Sequence, residues 1–188
     1  MDARDPLPAL DEAVIIALGS NLAGGYRSPE ALLEAAIARF PREGATVRAR
    51  SPLWRSAAWP DPTQPAFVNA VAIIETQLSP QALMAALRIL EREFGRRPGP
   101  PNGPRTLDLD LIAHGRSVVD GADLVLPHPR AHERLFVMGP LAQIAPAWRH
   151  PLNGKTAADL AAAATVGVDG RPDPPGHAAL HNGAANAI

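Results

Sequence analysis

Cysteine is absent from the 188 residues, which excludes disulfides, thiolate catalysis and cysteine zinc sites. A reducing cytoplasm accords with that absence, and a cytoplasmic location is expected. Lysine is almost absent too. Lys155 is the only one, so the basic residues are otherwise arginine, and a lysine-based phosphate loop or Schiff base is excluded. Net charge is also missing: at −1 the chain offers no bulk field for nucleic acid. No run approaches the roughly 18 consecutive apolar residues of a membrane span. The first dozen residues carry Asp2, Asp5, Asp11 and Glu12 and no long apolar core, so they are expected to be a loose leader rather than a signal peptide. What remains is ordinary for a soluble globular protein, 46% hydrophobic and 20% charged, at a length that fits one domain with some excess.

The stretch that carries chemistry is Arg105-Thr106-Leu107-Asp108-Leu109-Asp110-Leu111-Ile112. Successive side chains of a strand point to opposite faces. Asp108 and Asp110 therefore project together, with Cα atoms roughly 6.5–7 Å apart, while Leu107, Leu109 and Leu111 point into a core. Two carboxylates this close repel, and partial burial makes the repulsion worse. A divalent cation relieves it, and Mg²⁺ is the cation that prefers carboxylate oxygens while keeping substrate phosphates in its shell. Strict alternation puts Arg105 on the opposite face unless Gly103-Pro104 kinks the entry to the strand. An arginine beside such a pair suits phosphate recognition. The bland alternative is the solvated face of an edge strand.

Around this stretch the chain reads as short alternating elements. Residues 14–18 form a buried strand ending at Gly19, and Ser28-Pro29-Glu30 starts a helix that runs to about Phe40. Residues 46–54 and 67–76 are further strands, separated by a loop with proline and tryptophan. Ser79-Pro80 starts a second helix, whose stripe of Leu83, Leu87, Leu90 and Phe94 is core and which Gly95 ends. The acidic strand runs to His114, short extended pieces lie near Val118 and Leu124, and a helix over 134–144 is disturbed by Pro140. Thr156-Ala157-Ala158-Asp159 is a capping box for a last short helix. Residues 167–188, rich in Gly, Ala, Pro and Asn, are expected to be a loosely attached tail. The order strand, helix, strand, strand, helix, strand predicts an α+β fold: a ferredoxin-like antiparallel sheet with helices packed on one face, as a two-layer or three-layer sandwich.

Five blocks in order then resemble the 6-hydroxymethyl-7,8-dihydropterin pyrophosphokinase family of folate biosynthesis. They are Ala17-Leu18-Gly19-Ser20-Asn21-Leu22; Phe67-Val68-Asn69-Ala70-Val71 with Glu75-Thr76; Glu91 with Gly95-Arg96; Gly103-Pro104-Arg105-Thr106-Leu107-Asp108-Leu109-Asp110; and Leu126-Pro127-His128-Pro129-Arg130. The last continues through Arg134-Leu135-Phe136-Val137 to Ile144-Ala145-Pro146. The resemblance implies a pyrophosphokinase domain over residues 13–166, acting on small molecules as a monomer. ATP would donate a pyrophosphoryl group to the pterin's hydroxymethyl oxygen, releasing AMP. Two Mg²⁺ ions would be held by Asp108 and Asp110, one bridging the nucleophilic hydroxyl and the β-phosphate, the other on the triphosphate.

Roles follow residue by residue from the same resemblance. Arg96 and Arg105 would act in catalysis beside the two aspartates. Glu91, Arg105, Leu111, His128 and Arg134 would face the nucleotide. Phe67 and Phe136 would sandwich the pterin ring, Asn69 would pair with its polar edge, and the loop carrying Ser56, Ala57 and Trp59 would meet it through backbone groups. Each has an ordinary alternative: core packing for the phenylalanines, an amide satisfied by backbone for Asn69, a structural role for His128 and solvated surface for the arginines. The chain also departs from the family pattern. Ala57 and Ala58 stand where prolines are common, Phe67 where tyrosine is common, Arg88 where glutamine is common and Asp123 near a usual arginine. Pro98 to Asn102 replace basic and aromatic residues with a stiff loop. Two rivals remain: a ferredoxin-like binding module without catalysis, and a different Mg²⁺-dependent phosphotransferase on the same fold.

Overall fold

The computed structural model describes residues 10–99 and 103–173. The elements are β1 (Val14–Ser20), α1 (Pro29–Arg39), β2 (Ala45–Arg50), β3 (Trp54–Ser56), β4 (Phe67–Thr76), α2 (Pro80–Glu93), β5 (Asp108–His114), β6 (Val119–Asp120), β7 (Val125–Leu126), α3 (Leu135–Ile144), α4 (Ala157–Ala162) and β8 (Arg171–Pro172). Among the described residues, no helix is long and apolar enough to cross a membrane.

The main sheet is antiparallel, with strand order β5-β1-β4-β3-β8 and β2 pairing the far half of β4. Both long helices begin where the sequence puts them. The Ser28 and Ser79 hydroxyls accept hydrogen bonds from Ala31 and Ala82 N–H, and proline occupies the first helical turn of each. Their apolar stripes pack on one sheet face, formed by Val14, Ile16, Leu18, Val68, Ala70, Leu107, Leu109 and Leu111. The opposite face carries Ile15, Ala17, Val71, Ile73 and Ile112, covered by α3 and α4 through Val137, Met138, Leu141 and Leu160. The protein is therefore the three-layer sandwich, and the second face is not free: its far end is closed by helices. All seven residues of β1 are buried because both of its faces are covered.

Three expectations need correction. The strand expected over 46–54 is two strands, because Pro52 has no N–H to donate and the ladder breaks there. Leu10–Glu12, expected in a loose leader, form a 3-10 turn, and Asp11 Oδ1 accepts from the Arg149 N–H at 3.3 Å. The tail is not loose at its start: residues 167–170 make a turn against Phe136 and Trp54, and β8 then pairs with β3. The rest of the expected tail, from Pro174 on with His177 and His181, lies outside the described residues, as do Pro100, Pro101 and Asn102 of the stiff loop.

Candidate active site

Pairing register builds the floor of the site. Gly19 of β1 stands opposite Asn69 of β4 on one side and Asp108 of β5 on the other. Period-two alternation puts Phe67, Asn69, Gly19, Asp108 and Asp110 on the face that α3 and α4 cover only at its far end. A Cβ at Gly19 would lie 3.5 Å from Asn69 Oδ1, 3.7 Å from Phe67 and 3.9 Å from Asp108 Cβ, so any larger side chain there would fill the floor. The result is a cleft of about 210 Å³. Its lining includes Ser56, Ala57, Trp59, Phe67, Asn69 and Phe136, which the structure thereby brings together. Arg105, Asp108, Asp110, His128 and Arg134 line it as well.

Asn69 is 5% exposed, and its amide nitrogen donates to Ser56 Oγ at 3.1 Å. Its partner is another cleft side chain rather than the backbone, which leaves the alternative of a backbone-satisfied amide unsupported. Arg134 lies over the Phe136 ring at 5.7 Å and Arg130 over the Trp59 ring at 5.1 Å, so two cations back the two aromatic walls.

The two carboxylates have different surroundings. Asp108 Oδ1 takes both Arg96 Nη1 and Arg105 Nη1 at 2.8 Å. Asp110 Oδ2 has Arg134 at 3.8 Å and His128 at 3.9 Å, beyond hydrogen-bond range. Burial, followed by repulsion from Asp108, raises the Asp110 carboxyl to about 6, and the arginines oppose that rise. Burial, followed by the Arg134 charge, holds His128 down to about 4, so at neutral pH it is an uncharged donor or acceptor. Arg105 reaches Asp108 because β5 starts only at Asp108, so strand alternation does not apply to it. Asn21, missed in the sequence, fixes that approach. Its Oδ1 accepts from Arg105 N–H at 2.7 Å and its amide donates to the Pro65 carbonyl at 3.1 Å. The signal was there in a polar residue closing an apolar strand at Gly19-Ser20.

Three expected site residues are not brought into the cleft. Glu91, 4% exposed, lies on the helical face of β5, where it accepts from Leu109 N–H at 2.8 Å and pairs with Arg96. Burial raises its carboxyl above the ordinary range. Glu91 thus holds Arg96, which in turn pairs with Asp108. Arg96 itself touches the site only through Asp108. Leu111 is core, yet it also lines a second recess of about 250 Å³ with Met84, Leu124, Val125, Asp110 and His128. Asp110 therefore stands where an aromatic and polar cleft meets a more apolar recess. At the rim of that recess two departures from the family pattern meet: Arg88 donates to the Asp123 carbonyl at 2.9 Å.

An acid pair with arginines converging on it, beside an aromatic and amide-lined cleft, is the equipment of an enzyme that transfers phosphate-containing groups. Its family follows from comparison with known proteins. The sequence model of the 7,8-dihydro-6-hydroxymethylpterin-pyrophosphokinase family matches residues 15–146, and the chain belongs to this family. It is 41% identical over 153 residues to the 2-amino-4-hydroxy-6-hydroxymethyldihydropteridine pyrophosphokinase of Pseudomonas aeruginosa, covering 81% of this chain and 91% of that protein. With the protein of the same name from Synechocystis it shares 38% over 154 residues, 81% of this chain and 76% of the relative. The folic acid synthesis protein fol1 of Pneumocystis carinii is 38% identical over 144 residues; 77% of this chain is covered, but the match spans 19% of that longer protein. Among solved structures, a Plasmodium falciparum HPPK-DHPS with pteroate superposes with a TM-score of 0.62 at 10% identity, over 80% of this chain and 44% of that one. At that identity the likeness concerns the fold alone.

Proposed function

We propose that this pyrophosphokinase transfers the pyrophosphoryl group of ATP to the hydroxymethyl oxygen of 6-hydroxymethyl-7,8-dihydropterin and releases AMP. One observation carries the assignment of the acceptor. Asn69, with Phe67 and Phe136, lines the same cleft as Asp108 and Asp110, one strand away across Gly19. Aromatic walls suit a planar heterocycle, and a side-chain amide suits its donor–acceptor edge. The apolar recess beyond Asp110 suits the adenine end of the nucleotide. In this reading the functional unit is a single domain that extends from Ala13 through Asp173, beyond the 166 suggested by sequence.

Transfer of this kind asks for positioning and charge neutralisation rather than covalent catalysis. The residues fit Mg²⁺. Two adjacent carboxylates offer hard oxygens, Asp110 lacks a close cationic partner, and its carboxyl is raised by burial and then by repulsion from Asp108, a repulsion that a bound cation would relieve. Two Mg²⁺ ions held by Asp108 and Asp110 would supply charge neutralisation of the triphosphate and activation of the acceptor hydroxyl. The chain's own residues do the rest. Arg96 and Arg105 are poised at Asp108 to turn to phosphate oxygens, Arg134 and neutral His128 flank the opposite side, and the aromatic pair orients the acceptor. The test is incubation with ATP, Mg²⁺ and the hydroxymethyl-dihydropterin. AMP should appear one-for-one with the pterin diphosphate, and release of ADP, or no dependence on the pterin, would overturn the assignment.

A further inference from the structure

The segment that follows α4 lies beyond the residues matched by the family model, yet it is fastened to residues that form two walls of the cleft. It starts from the helix that carries Phe136: Leu135 N–H donates to the Val166 carbonyl at 2.9 Å. Gly167 then passes beneath the Phe136 ring. At φ +65°, and with a Cβ that would stand 2.4 Å from Phe136 Cδ1, the position admits only glycine. The turn closes with Gly170 N–H on the Gly167 carbonyl at 2.9 Å. From it Asp169 reaches the opposite wall, where its Oδ2 accepts from the Ala57 N–H at 2.6 Å. β8 adds to the edge of β3, and Asp173 closes the far end, accepting from Arg55 Nε at 2.8 Å and donating its N–H to the Leu53 carbonyl at 2.7 Å. Arg55 is itself paired with Glu30 of α1.

Seven residues thus touch both walls that would hold the flat ring, Phe136 on one side and the loop after β3 on the other. We propose that residues 167–173 are a clasp that sets the width of the pterin side of the cleft, with Asp169 a positioning residue that fixes the loop through the Ala57 amide. The chemistry explains why the chain needs it. Proline at 57 would have no N–H to satisfy and would stiffen the loop by itself. Alanine there leaves a free donor and a softer backbone, and a carboxylate on a backbone N–H is the stronger, charge-assisted kind of hydrogen bond. Asp169 touches neither Asp108 nor the recess beyond Asp110, so its effect falls on one substrate only.

This inference rests on the pterin assignment above. Its test uses the full chain with Asp169→Ala, Asp169→Asn, Ala57→Pro and the double variant Ala57→Pro/Asp169→Ala. Each is titrated with 6-hydroxymethylpterin and, separately, with α,β-methylene-ATP and Mg²⁺. Asp169→Ala should weaken the pterin probe by about tenfold, the loss of a charge-assisted hydrogen bond, and leave the nucleotide probe within about twofold. In turnover the KM for the pterin should rise while kcat holds. Asp169→Asn, which keeps an acceptor oxygen, should recover part of the loss. In the Ala57→Pro background, removing Asp169 should cost nothing further. Equal weakening of both probes would make the segment merely structural, tighter pterin binding would make Asp169 a competitor for the loop, and no change at all would remove its role; each overturns the proposal. Failure of the unmodified chain to bind 6-hydroxymethylpterin is a separate outcome, which sinks the pterin assignment and this inference with it.

Discussion

The two walls of the cleft are assembled over very different lengths of chain. On the phosphate side Arg105 meets Asp108 three residues away and Glu91 meets the Leu109 amide eighteen away, all around one strand and the helix packed behind it. On the pterin side the Ala57 amide is held by a residue 112 positions away and Arg55 by one 118 away. The first wall is built around a local motif, to which Asn21 adds one long-range tie at the Arg105 N–H, and the second is a closure between the middle and the end of the fold. A motif can therefore announce the chemistry of this enzyme while saying nothing of how its organic substrate is gripped.

Removing a carboxylate tests the local wall most severely. Asp110→Ala should lower turnover by several decades, because the charge neutralisation lost is worth several kcal/mol in the transition state. The fold should survive, since the carboxylate stands 3.8 Å from its nearest arginine and anchors nothing. A folded variant with near-normal turnover, measured alongside circular dichroism, would discard the metal assignment.

Asn69→Ala should separate the two walls. Pterin affinity should fall by roughly 10- to 100-fold, leaving part of the substrate's polar edge unpaired, while ATP affinity holds. Calorimetry with each ligand decides, and equal losses would make Asn69 a structural amide shared by both walls.

Acid should weaken the phosphate wall first. With Asp110 raised to about 6, metal affinity should fall about tenfold per pH unit below that point, as protons compete for the carboxylate. His128, held down to about 4, stays neutral across the same window and leaves the signal to Asp110. The sign for stability is opposite. The folded chain binds the Asp110 proton more tightly than the unfolded chain, so this group's cost to folding, present above about 6, is relieved on acidification. Metal titrations and thermal melts at pH 5 and 7.5 should therefore move apart, and Asp110→Asn should abolish the difference in metal affinity.

Arg55→Ala should give the smallest effect. It frees Glu30 and Asp173 at once, but the guanidinium is 37% exposed, so the cost to stability should stay near 1 kcal/mol by urea unfolding. A loss several times larger would mean that β8 is a cornerstone of the whole sheet rather than a fastening for one wall.

Legibility in the sequence follows the same division. Helix starts at Ser28 and Ser79, the capping box at Thr156 and the same-face aspartates are short-range patterns, and each stands where local physics puts it. The break at Pro52 was also local but lay inside an otherwise convincing run of strand formers. Glu91 was placed near the nucleotide by resemblance, whereas its carboxylate faces the back of β5, because a helical residue's partner depends on packing that spacing does not encode. Residues 167–173 look disordered by composition, since they bury little apolar surface. They are ordered instead by backbone pairing and two aspartates whose partners sit more than a hundred residues away. Small residues that read as slack are here the condition for close approach, as Gly167 beneath Phe136 requires.

The register at Gly19 has one more consequence. Asn69 and Asp108 flank it on neighbouring strands, so their Cα atoms stand two interstrand repeats apart, roughly 9.6 Å at about 4.8 Å each. Backbone hydrogen bonds maintain that gap, and no side-chain rotation can alter it. In the proposed reading the sheet acts as a gauge for the acceptor, whose accepted length would follow from this backbone spacing together with the reach of Asn69 and the two aspartates.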